Sequence, residues 1–168
     1  MHASVLDWLA GRRSEFGDLS AWDVLEVGSF NENGSPRHLF PDVHTYLGID
    51  SRPGRGVDEV AFAHALPLPD RSVDLVICTE MLEHDPSPWL SVVEMARVLV
   101  PGGQLLLTAR GFDAYTGYPE HPCPNDYWRF NEASFNVLLR YVAKLHIIEI
   151  VPDVGPEAPG VFGHACKP

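Results

Sequence analysis

Acids and imidazoles, the side chains that move protons, are concentrated in two stretches of the chain. The first, residues 80–85, contains His84, and the second, residues 111–129, contains His121 and Asp126. Because imidazole titrates near neutral pH, we predict His84 and His121 as general bases, with Asp126 as a catalytic carboxylate near them. A structural hydrogen bond or a metal contact is the alternative for His84, and a solvated loop position is the alternative for His121.

The unit that would position these groups is a strand, turn, short helix and strand over residues 24–50. An apolar strand leads into Gly28, Ser35 and the proline after it favour a short helix, and a second apolar run ends at Asp50. An acid about 20 residues after the first glycine is typical of sites that hold a ribose. The turn amides of such a unit face an anionic group of the ligand. The sequence therefore predicts a site for a ribonucleotide-like cofactor.

The rest of the chain alternates apolar strands with helices. We predict helices at residues 3–16, 37–40, 89–100 and 133–142. We predict strands at residues 24–27, 45–49, 57–62, 73–78, 104–109, 145–151 and 161–165. Near-continuous apolar strands separated by helices indicate a parallel α/β sheet with helices on both faces. Since no helix separates the last two strands, we expect them to pair antiparallel.

Size and charge limit the classes of function. A chain of 168 residues favours one domain, residues 1–168, with little room for an added substrate domain. The net charge of −11 and the scattered Lys and Arg disfavour nucleic acid as a substrate, because most of this surface would repel a phosphate backbone. Three cysteines without metal-ligand spacing indicate a reducing, cytoplasmic setting. No stretch predicts a signal peptide or a membrane span.

The glycine pattern after the first strand distinguishes between cofactors. A nicotinamide dinucleotide site needs G-x-G-x-x-G, whereas this chain has Gly28, Gly34 and, at the second glycine position, Phe30. Five other stretches, taken together, resemble the class I S-adenosylmethionine-dependent methyltransferases, in particular their small type 11-like domains. They are LEVGS at 25–29, LGID at 47–50, LPLPDRSVDLV at 66–76, EMLEH at 80–84 and RVLVPGG at 97–103. The resemblance implies a Rossmann-like α/β fold with a seven-stranded, mostly parallel sheet and an antiparallel last strand.

The same resemblance implies which residues would hold S-adenosylmethionine and its product S-adenosylhomocysteine. Glu26 and the Gly28 turn would lie along the methionine part, and Asp50 would hold the ribose hydroxyls. The alternative for Glu26 is a local turn contact, and for Gly28 a tight turn alone. The predicted cofactor-binding residues are Glu26, Gly28, Ser29, Phe30, Asp50, Ser51, Ala63, His64, Thr79 and Glu80.

Two positions depart from the family's pattern. Phe30 and residues 31–34 replace the usual glycine-rich turn, so this loop must cradle the cofactor differently. Where the family often has an acid on the adenine amine, this chain has Phe62, whose ring can stack but cannot accept that hydrogen bond. We expect the neighbouring Ala63 and His64 to supply adenine contacts instead.

A divalent metal is the disfavoured alternative to a metal-free site. If residues 80–84 were helical, Glu80, Glu83 and His84 would share one face, and two carboxylates with an imidazole suit Mg²⁺ or Mn²⁺. The competing interpretation is that Glu80 contacts the cofactor while Glu83 caps a turn or pairs locally. Because the pattern is short, we assign no metal ligand.

The sequence therefore predicts methyl transfer to a hydroxyl or amine of a small-molecule or sugar-type acceptor. The alternative is a protein that binds S-adenosylmethionine or S-adenosylhomocysteine without transferase activity, suggested by the altered turn at Phe30 and the missing adenine acid. Two interpretations of residues 126–129 stay open, a lid over the acceptor and packing into the core. The oligomeric state stays open between monomer and homodimer.

Overall fold

A seven-stranded sheet forms the centre of the molecule in the computed structural model, which describes residues 2–32, 34–112, 125–153 and 160–168. The strand order is β3-β2-β1-β4-β5-β7-β6. The strands are β1 Asp23–Val27, β2 Thr45–Asp50, β3 Glu59–Val60, β4 Val73–Thr79, β5 Leu99–Arg110, β6 His146–Asp153 and β7 Gly160–Cys166. The order reverses between β1 and β4, the position at which open α/β sheets bind ligands.

The sheet is parallel except at β7. The strands β3, β2, β1, β4 and β5 pair parallel, and β7 pairs antiparallel with both β5 and β6. Strands β1 and β4 are almost wholly buried, as their continuous apolar sequences indicate. Only residues 154–159 separate β6 from β7, too few for a crossover helix, and this explains the antiparallel pairing. The predicted sheet and its antiparallel last strand are confirmed.

Helices cover both faces of the sheet, as predicted. Helix α1, Ala3–Glu15, packs Val5 and Leu9 into a cluster with side chains of β1, β4 and β5 on one face. Helix α2, Pro88–Val98, and helix α3, Glu132–Asn136, cover the other face, where α3 continues as a π-helical segment, Val137–Val142. Within the described ranges, no helix is long and apolar enough to cross a membrane.

The connection from β1 to β2 is short. It contains one 3-10 turn, Pro36–Leu39, in which Ser35 caps the start by accepting a hydrogen bond from the backbone amide of Arg37 at 3.2 Å. A second 3-10 turn, Leu82–His84, follows β4. The second turn lies just beyond the carboxyl end of β4.

Two strands, β3 and β5, differ most in length from the sequence prediction. The predicted third strand, residues 57–62, is reduced to Glu59–Val60 because Asp58 turns back to β2, where its carboxylate accepts the amide of Gly48 at 2.7 Å. Strand β5 starts at Leu99 rather than residue 104, since Leu99 already pairs with Val73. Gly102 and Gly103 therefore lie inside β5, where Gly102 has a φ of +82° at an irregular pairing.

Candidate functional site

Two adjoining cavities open at the carboxyl ends of β1, β2 and β4. The larger has a volume of about 650 Å³, within the roughly 300–1,000 Å³ typical of ligand sites. The smaller, of about 180 Å³, reaches the end of β5. Residues predicted to hold the cofactor are divided between them. Those that line the larger cavity are Gly28, Phe30, Asp50, Ser51, Ala63, His64 and Glu80, and those that line the smaller are Glu26, Gly28, Phe30, Thr79 and Glu80.

Gly28 forms the turn at the end of β1. Its φ is +83°, a conformation that glycine adopts without strain, and its amide donates to the carbonyl of Ile49 at 2.8 Å. A Cβ atom at this position would lie 2.7 Å from Cγ of Met81, which also lines the larger cavity. The absence of a side chain therefore keeps the cavity open as well as permitting the turn.

Ser29 packs away from the cavities. Its amide also donates to the carbonyl of Ile49, at 3.1 Å, and its side chain is buried against Gly48, where a Cβ would lie 2.9 Å from the Ser29 Cβ. Among the described residues that line the two cavities, Ser29 is absent. Ser29 therefore packs the turn after β1 closely against Gly48 of β2.

The turn that replaces the glycine-rich loop is anchored by Phe30. The backbone amide of Phe30 donates to Oδ2 of Asp50 at 3.2 Å. Its ring lies under the guanidinium of Arg52, 4.0 Å from the ring centroid, and against Gly54, where a Cβ would lie 2.1 Å from a ring carbon. Within the predicted loop 31–34, Asn33 lies outside the described residues and Gly34 lines the smaller cavity.

Asp50 lies at the end of β2 with its carboxylate beside the larger cavity. Oδ1 accepts the amide of Arg52 at 3.2 Å and the hydroxyl of Ser51 at 3.4 Å. A carboxylate has about four lone-pair sites, so three donors at long distances leave it able to accept ligand hydroxyls. The far wall of the cavity is formed by Phe62 and His64, whose rings stack with centroids 5.3 Å apart and planes inclined by 17°.

Glu26 projects from β1 into the wall of the smaller cavity and is only 3% exposed. Its Oε2 accepts the hydroxyl of Tyr46 at 2.9 Å and that of Ser35 at 3.4 Å. Burial raises the pKa of Glu26 to about 7, although the hydrogen bond from Tyr46 and the nearby Arg37 guanidinium act in the opposite direction. Glu26 thus carries a carboxyl group that changes charge near neutral pH.

Glu80 follows β4 in a left-handed backbone conformation, with a φ of +51°. Its amide donates to the carbonyl of Thr108 at 3.1 Å, and its Oε1 accepts the Thr108 hydroxyl at 2.9 Å. Burial raises the pKa of Glu80. A non-glycine residue held in this region stores strain of order 1–3 kcal/mol, which is common at functional sites.

Glu83 is more deeply buried than Glu80, with 1% of its surface exposed. Burial, followed by the charge of Glu80, raises the pKa of Glu83 well above its ordinary range. Its Oε2 has no hydrogen-bond partner among the described residues. The carbonyl of Glu83 accepts the amide of Tyr127 at 2.7 Å, so the turn after β4 is joined to residues 125–128.

The predicted bases and acids are not all brought together. His84 lines both cavities, and its Nδ1 donates to the carbonyl of Asn125 at 3.0 Å, so in the neutral ring Nε2 carries the lone pair. Asp126 instead forms a two-point ion pair with Arg129, in which Oδ2 accepts from Nη2 at 2.6 Å, and it does not line either cavity in the described part of the chain. His121 lies outside the described residues.

The metal alternative depended on a helix that the structure does not contain. Residues 82–84 form a 3-10 turn that buries Glu83 and directs His84 towards Asn125. Within the described ranges, no group of three His, Cys, Asp or Glu side chains is arranged to hold a metal ion.

Two residues of the smaller cavity were missed by the sequence analysis. Arg110 ends β5, and one of its Nη atoms donates to Nε2 of His2 at 3.0 Å. The position of Arg110 at the carboxyl end of a buried strand was a signal that could have identified it. No local pattern could have identified His2, because the contact joins positions 108 residues apart.

Comparisons with known proteins agree with this arrangement. Residues 40–107 match the family model of a methyltransferase domain. A Mycolicibacterium paratuberculosis protein named as an uncharacterized methyltransferase is 30% identical over 141 residues, 62% of this chain and 53% of that protein. A 27-O-demethylrifamycin SV methyltransferase of Amycolatopsis mediterranei is 49% identical over 53 residues, 32% of this chain and 20% of that protein. The chain spans about half of the length of such curated relatives, or less.

The fold has a close counterpart among solved structures. The 1,6-didemethyltoxoflavin-N1-methyltransferase of Burkholderia thailandensis, solved with 1,6-didemethyltoxoflavin and S-adenosylhomocysteine bound, superposes with a TM-score of 0.73. The superposition covers 97% of this chain and 78% of that one at 12% sequence identity, a level at which the likeness establishes the fold. Together with the family match, it confirms the resemblance to class I methyltransferases that the sequence motifs indicated.

Proposed function

We propose, because residues 40–107 match the family model of a methyltransferase domain, that this chain is an S-adenosylmethionine-dependent methyltransferase. Residues 1–168 act as one domain that transfers a methyl group to a hydroxyl or amine of a small-molecule or sugar-type acceptor. The observation that supports the proposal is the larger cavity, which Asp50 lines from the end of β2, where a strand–turn–strand unit of this kind is expected to hold a ribose.

The residues around the cavity fit S-adenosylmethionine in chemistry and size. Asp50 can accept hydrogen bonds from the ribose hydroxyls, and the stacked rings of Phe62 and His64 offer a flat apolar surface to adenine. The Gly28 turn leaves room for the methionine part beside Glu26 and Glu80. When bound, the cofactor supplies a methyl group on a positively charged sulfur, and S-adenosylhomocysteine is the product.

The chain's own contribution is to position the acceptor and to accept its proton. Holding two reactants in line supplies roughly 7–11 kcal/mol of the barrier in well-oriented reactions. His84 is the proposed base, because it lines both cavities and its Nδ1–H is held by Asn125, so that the Nε2 lone pair can take a proton. Asp126 is proposed to position Arg129, and the proposed role of His121 stays a prediction.

Among the comparisons, only the names of the relatives bear on the acceptor class. One relative is named for methylating an oxygen of a rifamycin and one structural neighbour for methylating a ring nitrogen of a toxoflavin precursor. Both are small molecules, and this supports a hydroxyl or an amine as the acceptor group. The acidic surface supports the same choice, since a nucleic-acid acceptor would be repelled.

A thermal-unfolding titration tests the cofactor. S-adenosylhomocysteine at about 100 times its dissociation constant should stabilise the protein by about 2.7 kcal/mol, a rise in Tm of roughly 5–10 °C. Asp50→Asn should weaken binding roughly 10- to 100-fold, because hydrogen bonds to a charged group contribute about 1.5–3 kcal/mol. Asp42→Asn is the matched control, since Asp42 pairs with Arg13 on the surface. The absence of a shift with either S-adenosylmethionine or S-adenosylhomocysteine would contradict the proposal.

The alternative, binding without transfer, is favoured by one observation. Phe30 replaces the usual glycine-rich turn, and its ring is fixed between Arg52 and Gly54. Mass spectrometry after incubation with S-adenosylmethionine and a library of small hydroxyl and amine compounds distinguishes the two functions. Appearance of a methylated compound, lost in His84→Gln, supports the transferase; cofactor binding without any methylated product supports the alternative.

A further inference from the structure

Arg110 carries a buried positive charge at the smaller cavity. It is the last residue of β5, it lines that cavity, and it is 9% exposed. A guanidinium keeps its charge in proteins, and burying a charge is costly unless the charge is paired and hydrogen-bonded. Arg110 therefore requires a partner, which either the protein or a ligand must supply.

The protein supplies only part of that partner. Nη1 of Arg110 donates to Nε2 of His2 at 3.0 Å, while Nε of Arg110 has no hydrogen-bond partner among the described residues. The His2 nitrogen accepts this bond with its lone pair, so the ring brings no charge of its own. No ion pair within the described ranges includes Arg110. The bond to His2 leaves the other edge of the guanidinium, formed by Nε and Nη2, for a ligand.

The neighbouring acids do not replace the missing partner. Oε1 of Glu80 accepts the Thr108 hydroxyl at 2.9 Å, so this oxygen is already hydrogen-bonded. Burial raises the pKa of Glu80 and of Glu83, although the Arg110 guanidinium acts in the opposite direction on both. Both carboxyl groups therefore resist ionisation beside a charge that is permanent. The group that would complete Arg110 is an anion with oxygen acceptors.

We propose that Arg110 binds the α-carboxylate of the methionine part of S-adenosylmethionine and of S-adenosylhomocysteine. The inference rests on the proposed function and deepens it, because it assigns a residue to the anionic end of the cofactor. Glu26, Gly28 and Glu80, beside which the methionine part is expected, line the same cavity as Arg110. A guanidinium matches a carboxylate in shape as well as in charge, since two parallel N–H groups donate to two oxygens.

The other groups of the cofactor do not fit this position. The α-ammonium and the sulfonium are positive and would be repelled by a guanidinium. The ribose and adenine are expected at the larger cavity, which Asp50 and Phe62 line. Strands β1 and β4 lie between β2, which ends in Asp50, and β5, which ends in Arg110. Asp50 and Arg110 would therefore hold opposite ends of the ribose–methionine chain, each by the charge that its end requires.

The wild-type protein tests the carboxylate through two ligands that differ in one group. S-adenosylhomocysteine and its α-carboxamide have nearly the same shape, but only the first is anionic at that end. Calorimetric titration of the full chain should give the carboxamide a roughly 10- to 100-fold lower affinity, the loss expected when hydrogen bonds to a charged group are weakened. A third ligand, 5′-methylthioadenosine, lacks the amino-acid end and serves as the reference for the adenosine part.

Arg110→Gln assigns the effect to this side chain. It should lower the affinity for S-adenosylhomocysteine roughly 10- to 100-fold, and that for the carboxamide and for 5′-methylthioadenosine by no more than about threefold. Arg140→Gln, which changes an exposed arginine of the π-helical segment, should bind all three ligands as the wild type does. If circular dichroism shows that Arg110→Gln does not fold, Arg110→Lys replaces it. Lysine keeps the charge without the two-point geometry, so it should bind S-adenosylhomocysteine about three- to tenfold more weakly and 5′-methylthioadenosine unchanged.

The outcomes separate this inference from the proposed function. Failure of both S-adenosylhomocysteine and 5′-methylthioadenosine to bind contradicts the proposed function itself. Equal affinity of the wild type for S-adenosylhomocysteine and its carboxamide overturns the assignment of Arg110 alone. The same conclusion follows if Arg110→Gln still discriminates between these two ligands as the wild type does, or if Arg110→Lys, used in its place, binds S-adenosylhomocysteine as tightly as the wild type.

Discussion

The backbone amide of Phe30 donates a hydrogen bond to Oδ2 of Asp50 at 3.2 Å, which ties the loop after β1 to the last residue of β2. The loop is held further by Asn31, whose amide donates to the carbonyl of Arg55 at 2.8 Å. Both bonds use backbone amides, so the turn does not need the usual glycines to orient Asp50. The departure at position 30 is therefore compatible with a ribose-binding carboxylate.

Gly28→Ala should damage both stability and cofactor binding. Alanine at this position would have to adopt a φ of +83°, and its Cβ would lie 2.7 Å from Cγ of Met81. The expected loss in the free energy of unfolding is about 1–3 kcal/mol, measured by urea denaturation. S-adenosylhomocysteine should also bind more weakly, because displaced Met81 atoms enter the larger cavity.

Gly11→Ala is the control for this substitution. Gly11 lies in α1 with nothing within 4 Å of an added Cβ. Alanine there should raise the free energy of unfolding by about 0.5–1 kcal/mol, as expected for an exposed helical glycine. A Gly28→Ala protein that is as stable as Gly11→Ala would contradict the close contact with Met81.

Glu26→Gln should change how stability depends on pH. In the folded protein the pKa of Glu26 is about 7, against an ordinary value of 4.5, so between these values the folded state binds more protons than the unfolded state. The free energy of unfolding of the wild type therefore falls as pH rises through this window. Glutamine removes the contribution, which is roughly 3 kcal/mol for a shift of this size.

The measurement is urea denaturation of both proteins at pH 4.5, 6 and 8. Glu26→Gln should gain stability relative to the wild type as pH rises, by roughly 3 kcal/mol over the whole range. Glu80 and Glu83 are present in both proteins, so the difference isolates Glu26. Glu59→Gln should track the wild type at each pH. A constant difference between Glu26→Gln and the wild type would show that the pKa of Glu26 is not raised.

The fold was predictable because it depends on patterns that are local in sequence. The apolar runs of β1 and β4 are continuous since both faces of these strands are buried, and the short link before β7 excludes a crossover helix. The length of β3 was not predictable in this way. It is set by Asp58, whose carboxylate turns back to the amide of Gly48 in β2, a contact that no apolar pattern records.

The site was predictable in its strand ends but not in its side-chain pairing. Asp50 and Glu80 lie at the cavities because each is at the carboxyl end of a parallel strand, Asp50 as the last residue of β2 and Glu80 directly after β4. Asp126 and Arg129 lie in one segment, residues 126–129, but nothing in the sequence showed that they pair with each other inside the protein. The contact of Arg110 with His2 depends on how α1 lies on the sheet, which local sequence does not determine.

Arg129→Met should be strongly destabilising. The side chains of Arg129 and Asp126 are 2% and 6% exposed, so the substitution leaves the Asp126 carboxylate buried without this guanidinium. Removing one partner of a buried pair costs about 3–5 kcal/mol, measured here as the free energy of unfolding in urea. The double variant with Asp126→Asn and Arg129→Met should lower the free energy of unfolding by less than the sum of the two single variants, because each single change removes the same interaction.

A surface ion pair supplies the comparison for Arg129. Arg13 pairs with Asp42 at 2.6 Å, with about half of the Asp42 side chain exposed. Arg13→Met should therefore cost only about 0.2–1 kcal/mol, the usual range for solvent-screened pairs. If Arg129→Met costs no more than Arg13→Met, the buried pair does not hold residues 125–131 to the site.

Phe62→Ala should weaken cofactor binding without loss of stability. The ring is 60% exposed, lines the larger cavity and stacks on His64 at 5.3 Å, so it contributes little to the core. Stacking of a base on an aromatic ring is worth about 1–3 kcal/mol by alanine substitution, which corresponds to roughly 5- to 100-fold in affinity. The free energy of unfolding should change by no more than about 0.5 kcal/mol.

Calorimetric titration with S-adenosylhomocysteine and with adenosine checks this assignment of the adenine end. Both ligands should lose affinity in Phe62→Ala by a similar factor, because the change removes a contact to the base that they share. Val60→Ala is the matched control, since Val60 is a similarly exposed apolar residue on β3 and is absent from the cavity walls in the described part of the chain. Unchanged affinity of Phe62→Ala for both ligands would place adenine elsewhere, and a loss confined to S-adenosylhomocysteine would place Phe62 at the methionine end.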